Sequence, residues 1–280
     1  MRIIINDKFF NITENNLSAT DRGLLLGDGI FTTLKSINSN LLYFSKHYER
    51  LKKHASIISL DVPIGEIELH TKCIELIQLN KLEKDSALIR ITITRGNSER
   101  GLKIPQKQNP TLIINSTPLI PSNMQPVRLC LTSIIRNEYS PITQIKSLNY
   151  LEPILAKNEA IKHGFDDGIM LNTKGVICEC SASNIFFINS KHEVITPPLN
   201  DGVLNGIIRE NVIDACNNLN IPVVEHSIHP DDIHEYKEAF QTNCAIGIQS
   251  ISNIEQFVFP TTKDSITQII RNYCKKQLSF

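Results

Sequence analysis

Thr117-Pro118-Leu119-Ile120-Pro121-Ser122-Asn123-Met124-Gln125-Pro126 divides the chain. Pro118, Pro121 and Pro126 offer no backbone N–H to a helix or a sheet, and Ser122-Asn123 favours a turn. A chain of 280 residues holds about two domains of ordinary size. The break is therefore read as a linker. The expected organisation is a small N-terminal α/β domain over 1–118, a linker over 119–123 and a larger domain over 124–280.

Both sides of the break mix strands and helices. Before it, Asn6-Asp7 turns a hairpin between Arg2–Ile5 and Phe9–Ile12. Strands are expected at Ile30–Ile37, Ala87–Thr94 and Thr111–Asn115. Phe44, Tyr48, Leu51, Ala55 and Ile58 recur at steps of three and four, so a helix starts near Ser45. A second helix covers Gly65–Leu79. After the break come a strand at Val127–Ile134 and a helix at Leu151–His163. Three short strands follow, at Gly168–Leu171, Val176–Cys178 and Asn184–Ile188. A helix at Gly206–Leu219, a strand at Pro222–His226 and a terminal helix at Thr262–Lys276 complete the pattern. The fold class is α/β (α+β), with more strand than a doubly wound sheet carries.

Composition removes several function classes. Lys+Arg and Asp+Glu are both 29, so the formal net charge is zero. A general nucleic-acid binder carries a basic excess. No apolar run approaches the length of a membrane-spanning helix, and Met1–Asp7 reads as a strand and turn rather than a signal peptide. Seven cysteines, an odd number in a chain large enough to fold unaided, fit a reducing cytoplasm. Cys178 and Cys180 stand too close for zinc spacing and no second pair follows, so no metal site is expected. Gly23-Leu24-Leu25-Leu26-Gly27-Asp28-Gly29 matches neither the dinucleotide fingerprint nor the P-loop. It is either a tight turn or a loop that lines a site, with Asp28 orienting it.

The chemistry centres on Ile145-Lys146-Ser147-Leu148-Asn149-Tyr150-Leu151, just before a helix. Lys146 is either a solvated cation or an amine that attacks an aldehyde, a role that burial and neighbouring cations assist. Glu179 is the single acid in Val176–Phe187, a small neutral strand-like run. It is either an edge-strand charge or, if buried, a group that needs a proton or a cationic partner. Arg50 projects from the first amphipathic helix, opposite part of its apolar set. Gly206-Ile207-Ile208-Arg209 opens another helix, whose free N–H groups can grip an anion. Gly206 also reads as an ordinary helix-start glycine.

In order and spacing these segments resemble the fold-type IV pyridoxal-phosphate enzymes, the class IV aminotransferase family. The anchors are Asp21-Arg22-Gly23, Gly27-Asp28-Gly29-Ile30-Phe31, His47-Tyr48-Glu49-Arg50-Leu51, Lys146–Leu151, Glu179 with Asn184-Ile185-Phe186, Gly206–Arg209 and Thr242-Asn243. The resemblance implies a larger C-terminal domain of barrel-like form and a pyridoxal 5'-phosphate cofactor. It implies that Lys146 is the Schiff-base lysine and that Glu179 pairs with the ring nitrogen. Arg50 and the Ile207 and Ile208 amides would hold the phosphate, Tyr150 would lie near the ring oxygen, and Asn243 would add a cofactor contact. Where the family usually has Gly-Ile-Thr-Arg, Ile208 stands for the threonine, which removes one hydroxyl and implies either weaker cofactor binding or compensation by Asn243 and Thr242. A homodimer acting on a small-molecule substrate is implied, with no nucleic-acid or membrane partner.

Within the family, Thr94-Arg95-Gly96-Asn97-Ser98-Glu99-Arg100-Gly101 is similar to the loop of aminodeoxychorismate lyases and lacks an Arg-x-His carboxylate trap. Phe31-Thr32-Thr33 lacks the Glu that transaminases commonly place after the aromatic residue. The resemblance thus implies conversion of 4-amino-4-deoxychorismate to 4-aminobenzoate and pyruvate, a step of folate synthesis. Phe31, Thr33, Arg95 and Arg100 would contact the substrate. The alternatives are an aminotransferase for branched-chain or D-amino acids with 2-oxoglutarate, and an inactive binding protein on the same fold.

Overall fold

The computed structural model describes residues 1–14, 17–119 and 125–278. The chain forms two units, Met1–Pro121 with Ile145–Asn149, and Ser122–Gln144 with Tyr150–Phe280. Apart from Leu119, the expected linker 119–123 lies outside the described residues. The second unit differs from the continuous 124–280 expected, because Ile145–Asn149 joins the first. The Phe31 N–H donates to the Lys146 carbonyl at 2.9 Å, the Leu148 N–H donates to the Gly29 carbonyl at 3.0 Å, and Ser147 bridges Ile30.

In the first unit the described residues form β1 (Arg2–Ile5), β2 (Lys8–Asn11), α1 (Arg22–Leu26), β3 (Gly29–Ile37), β4 (Asn40–Leu41), α2 (Phe44–Ile57), α3 (Glu66–Leu79), β5 (Ser86–Thr94) and β6 (Thr111–Pro118). The sheet order is β2-β1-β6-β5-β3-β4, every pair antiparallel. Asn38 and Ser39, with φ of 49° and 65°, make the tight turn that sends β3 back as β4. Side chains alternate along a strand. Ile30 and Leu34 of β3, with Ile89, Ile91 and Ile93 of β5, therefore join Leu51 and Ala55 of α2 and Leu69 and Leu76 of α3 in one apolar core. The same alternation leaves Phe31 and Thr33 on the other face, paired with Thr92 and Arg90.

The second unit holds β7 (Val127–Arg136), α4 (Leu151–Lys162), β8 (Asp167–Asn172), β9 (Ile177–Cys180), β10 (Asn184–Asn189), β11 (Val194–Thr196), α5 (Ile207–Asn218), β12 (Val223–Glu225), β13 (Tyr236–Asn243), β14 (Gly247–Ile254), β15 (Phe257–Val258) and α6 (Ile266–Leu278). The sheet runs β12-β11-β10-β13-β14-β7-β8-β9, with β15 on β14. β9 ends that path, yet Ser181–Ser183 alone connects it to β10, and the Cys180 N–H donates to the Ser183 carbonyl at 2.8 Å. The sheet must therefore curl, which gives this unit the barrel-like form expected. Leu129, Ile169, Ile185, Phe187 and Ile251 fill one side of it. Phe186 and Phe240, stacked at 4.8 Å, pack with Val212 of α5 and Ile270 of α6 on the other. No helix among the described residues is long and apolar enough to cross a membrane.

Candidate active site

In the first unit, α2 buries Phe44, His47, Leu51, His54 and Ala55, so two histidines interrupt its apolar seam. Arg50 lies one turn from both. It does not project away from the apolar set as expected, because its Nη2 donates to Thr32 Oγ1 of β3 at 3.0 Å. The same oxygen lies 2.7 Å from His47 Nδ1. His54 Nδ1 accepts the backbone N–H of Lys146 at 3.0 Å. Burial, with the charges of Arg50 and Lys146, holds His47 well below the ordinary histidine range. Burial and the charges of Arg50, Lys53 and Lys146 pull His54 down to about 3. Both rings are thus neutral at physiological pH and can accept hydrogen bonds.

Lys146 Nζ lies 4.6 Å from the centre of the Phe31 ring. The Arg90 guanidinium lies 3.6 Å from the same centre, close enough for cation–π attraction. Thr33 pairs with Arg90 across β3 and β5. Lys146, Phe31, Thr33 and Arg90 are therefore neighbours. Thr32, His47, His54 and Arg90 were absent from the candidates drawn from sequence.

Arg95 is a correction. Its five N–H groups all have protein partners: Nε and Nη2 clamp the Asp28 carboxylate at 2.8 and 2.9 Å, and the rest reach the Ser59 and Ile58 carbonyls and Gln108. At 2% exposure it has no donor left for a substrate. Arg22 meets the same Asp28 at 2.7 Å and donates to the Gly101 carbonyl. Burial alone would raise the Asp28 carboxyl, but the bonds and charge of Arg95 and Arg22 hold it below its ordinary value. Asp28 is therefore tied to both arginines. Arg100 is exposed on the Thr94–Gly101 loop.

The second unit builds its site on an anion. Glu179 is 8% exposed on β9. Its Oε1 lies 3.0 Å from Arg136 Nη2. Its Oε2 accepts the Leu204 N–H at 3.0 Å and an Asn184 N–H at 3.3 Å. The cationic partner that a buried Glu179 requires is thus present in Arg136, at the end of β7 and two residues past the strand expected there. Arg136 also donates to the Gly202 and Thr143 carbonyls. These donors fix the orientation of the carboxylate.

α5 starts beside this group. Gly206 is its N-cap, and a Cβ there would collide with Asn184 Oδ1, so a side chain at this position displaces Asn184. A helix leaves its first N–H groups without intrahelical acceptors, and here they include those of Ile207 and Ile208. Next to Asn184 in the β10–β13 pair stands Thr242. Its Oγ1 is buried and has no hydrogen-bond partner among the described residues. Free helix-end amides and an unused hydroxyl together suit an anion such as a phosphate.

The Asn243 side chain is engaged within the protein. Its Nδ2 donates to the Ala182 carbonyl and Ser183 Oγ, and its Oδ1 accepts the N–H groups of Ala245 and Ile246. Its side chain holds the turn after β13, and the free hydroxyl belongs to Thr242. Tyr150, half-buried at the start of α4, lines a cleft of about 440 Å³ with Ser181, Ala182, Ser183 and Asn243. No group of three or more His, Cys, Asp or Glu able to hold a metal ion occurs among the described residues.

A Methanocaldococcus jannaschii protein named "Putative branched-chain-amino-acid aminotransferase" is 31% identical over 258 residues, 91% of this chain and 88% of that one. The aminodeoxychorismate lyase of Bacillus subtilis is 24% identical over 278 residues, 99% of this chain and 94% of that one. The crystal structure of the branched-chain aminotransferase from Thermoproteus uzoniensis has a TM-score of 0.91 at 28% identity, covering 99% and 94% of the two chains. The family model for amino-transferase class IV matches residues 29–254, and the chain belongs to that family.

Proposed function

We propose that this chain is a pyridoxal-phosphate-dependent aminotransferase that moves the amino group of an aliphatic α-amino acid, a branched-chain one foremost, to a 2-oxo acid. Its residues fit the cofactor: the orphaned Thr242 hydroxyl and the open end of α5 suit the phosphate, and the buried Glu179 suits a protonated ring nitrogen. Pyridoxal phosphate supplies an aldehyde for the amino group and a cationic ring that draws electrons from the adjoining carbon. Lys146 is the residue that would link to it, and Arg50 the cation for its phosphate. Lys146 Nζ would remove the proton on the amino-bearing carbon and return one during transfer. Tyr150 would donate to the ring oxygen.

The observation that carries the reading is the Phe31 ring, shared by Lys146 Nζ at 4.6 Å and Arg90 at 3.6 Å. It sets a permanent cation, able to take a substrate carboxylate, close to the amine that handles the neighbouring proton. The relatives tilt the choice of reaction. Branched-chain aminotransferase names go with 31% and 28% identity over about nine-tenths of this chain, and lyase names with 24% and 27%. Arg95, part of the lyase-like loop, is consumed by Asp28.

Aminodeoxychorismate lyase is the second reading. Thr32-Thr33 and the exposed Arg100 favour it, together with the Bacillus subtilis match over nearly the whole chain. The fate of the nitrogen separates the two. Purified protein is given L-branched-chain amino acids, D-alanine or 4-amino-4-deoxychorismate, with and without 2-oxoglutarate. Sustained glutamate formation from an amino acid, without release of 4-aminobenzoate, is expected. Fast, acceptor-independent release of 4-aminobenzoate and pyruvate in equal amounts would replace the aminotransferase by the lyase. The homodimer is proposed as well, supported by Leu151, Ile154, Leu155 and Ile161, all exposed along one side of α4. Sedimentation at micromolar concentration tests it, and a monomer would refute it.

A further inference from the structure

Thr32 and His47 belong to no step of the reaction, yet each is 1% exposed and they meet at a single proton. The Thr32 hydroxyl has one hydrogen and two lone pairs. Arg50 can act as a donor alone, so at 3.0 Å from Nη2 the hydroxyl must accept. With the ring proton of His47 on Nε2, its own hydrogen then serves His47 Nδ1, at 2.7 Å. His47 must be neutral to receive it, with its ring proton on Nε2. Burial, with the charges of Arg50 and Lys146, holds the ring in that form. The three groups thus make a directed chain, from guanidinium to hydroxyl to imidazole.

A long arginine side chain has many rotamers, and fixing it before a ligand arrives spares entropy that binding would otherwise lose. We propose that Thr32 and His47 are positioning residues that hold the Arg50 guanidinium ready for the cofactor phosphate, so that preference for a phosphorylated cofactor depends on them. This rests on the reading of Arg50 as the phosphate cation. The hydroxyl is bonded on both sides, so a valine of nearly the same shape should fill the space while breaking both bonds.

The test measures the ratio of affinities for pyridoxal phosphate and for pyridoxal, which lacks the phosphate, on protein stripped of cofactor and titrated by visible absorbance. Thr32→Val should bind pyridoxal phosphate about tenfold more weakly, as expected for one lost hydrogen bond to a charged group. Its affinity for pyridoxal should change by less than about twofold, a split that general loosening of the fold would not produce. Thr32→Ser, which keeps the hydroxyl, should restore the ratio. His47→Leu should lower it, and His47→Asn, with an acceptor oxygen near the place of Nδ1, should retain most of it. These histidine variants decide the matter should the valine protein fail to fold. Arg50→Gln separates the two ideas. If it lowers the ratio while Thr32→Val and His47→Leu leave it intact, the positioning role is refuted and the phosphate reading stands. If Arg50→Gln leaves the ratio unchanged, the phosphate reading fails and this inference falls with it.

Discussion

Acid should destabilise this protein through His54. The side chain is 4% exposed on α2, and its Nδ1 accepts the Lys146 N–H at 3.0 Å. Burial, with Arg50, Lys53 and Lys146 nearby, lowers its pKa from 6.5 to about 3. Across that window the unfolded chain holds a proton on this ring and the native chain does not. Stability therefore falls as the pH drops from 6.5 toward 3, by roughly 1.4 kcal/mol per pH unit for one full proton. Between pH 6.5 and 4.5 His54 alone should remove about 2–3 kcal/mol, a large share of an ordinary folding free energy. His54→Asn keeps an oxygen able to accept the Lys146 N–H and has no proton to gain. Urea unfolding of both proteins at pH 8, 6.5, 5.5 and 4.5 should give curves that diverge below about pH 6, the parent losing more. The variant should keep some acid sensitivity, because His47 is lowered in the same direction by its burial. Parallel curves down to pH 4.5 would show that His54 is already protonated in the native state, and would refute the argument.

Other perturbations reach the remaining groups. Lys146→Ala should leave a folded protein in which borohydride fixes no cofactor to the chain, and a label found on Lys157 or Lys162 by peptide mapping would move the linkage elsewhere. Glu179→Gln should slow removal of the substrate proton far more than it lowers the unfolding midpoint; an unchanged single-turnover rate would leave Glu179 as a partner for Arg136 and nothing more. Ile208→Thr should tighten cofactor binding by no more than about 1.5–3 kcal/mol, the range for a hydrogen bond to a charged group; equal dissociation constants would put that side chain out of reach of the phosphate. Gly206→Ala should cost about 1–3 kcal/mol by overpacking, since its Cβ would collide with Asn184 Oδ1 at 2.1 Å. Wild-type stability in urea would mean that Asn184 can move aside without loss.

Legibility followed local pattern. The Asn6-Asp7 hairpin, the helices on α2 and α3 and the long strand ending at Thr94 emerge within a few residues of their place, because turn chemistry and apolar periodicity agree there. β13 and β14 had no such signal. Tyr236–Asn243 and Gly247–Ile254 carry Glu238, Gln241, Gln249 and Ser252, polar residues that meet partners across the sheet or at its ends, and the unpartnered Thr242, and so break the alternation. α1, five residues long, is too short for a period to show. At the site, Lys146 and Glu179 stood out as single charges in neutral runs. His47 and His54 were passed over because the helix was read from its apolar members, and its true inward face includes both rings. Arg90 and Arg136 look like cations on or just past a strand, and nothing nearby in sequence marks what each one meets.

That last failure has a general cause. Among the described residues, three of the four buried arginines are matched to a carboxylate many residues away, Arg95 to Asp28, Arg136 to Glu179 and Arg209 to Glu225, while Arg22 meets Asp28 six residues on. Hydropathy scores each partner alone as a surface charge, whereas burial is tolerable once both are present and hydrogen-bonded. The pairing also explains how a chain of zero net charge can serve an anionic ligand. Asp28 is shared by two arginines, which leaves a positive balance in that cluster. The charges that lower His47 and His54 are likewise cations, Arg50, Lys53 and Lys146. The first unit therefore presents positive potential around Lys146, and burial keeps the two histidines from adding to it. The second unit instead spends its buried cation, Arg136, on holding one carboxylate in place. Because Arg136 also grips two backbone carbonyls, replacing Glu179 by glutamine should leave the arginine seated. Arg136→Met should cost more stability than Glu179→Gln, on the order of 3–5 kcal/mol, because it strands a buried anion with two neutral donors. If Glu179→Gln proved the more damaging of the two in urea, the carboxylate would be the anchor and the arginine its guest.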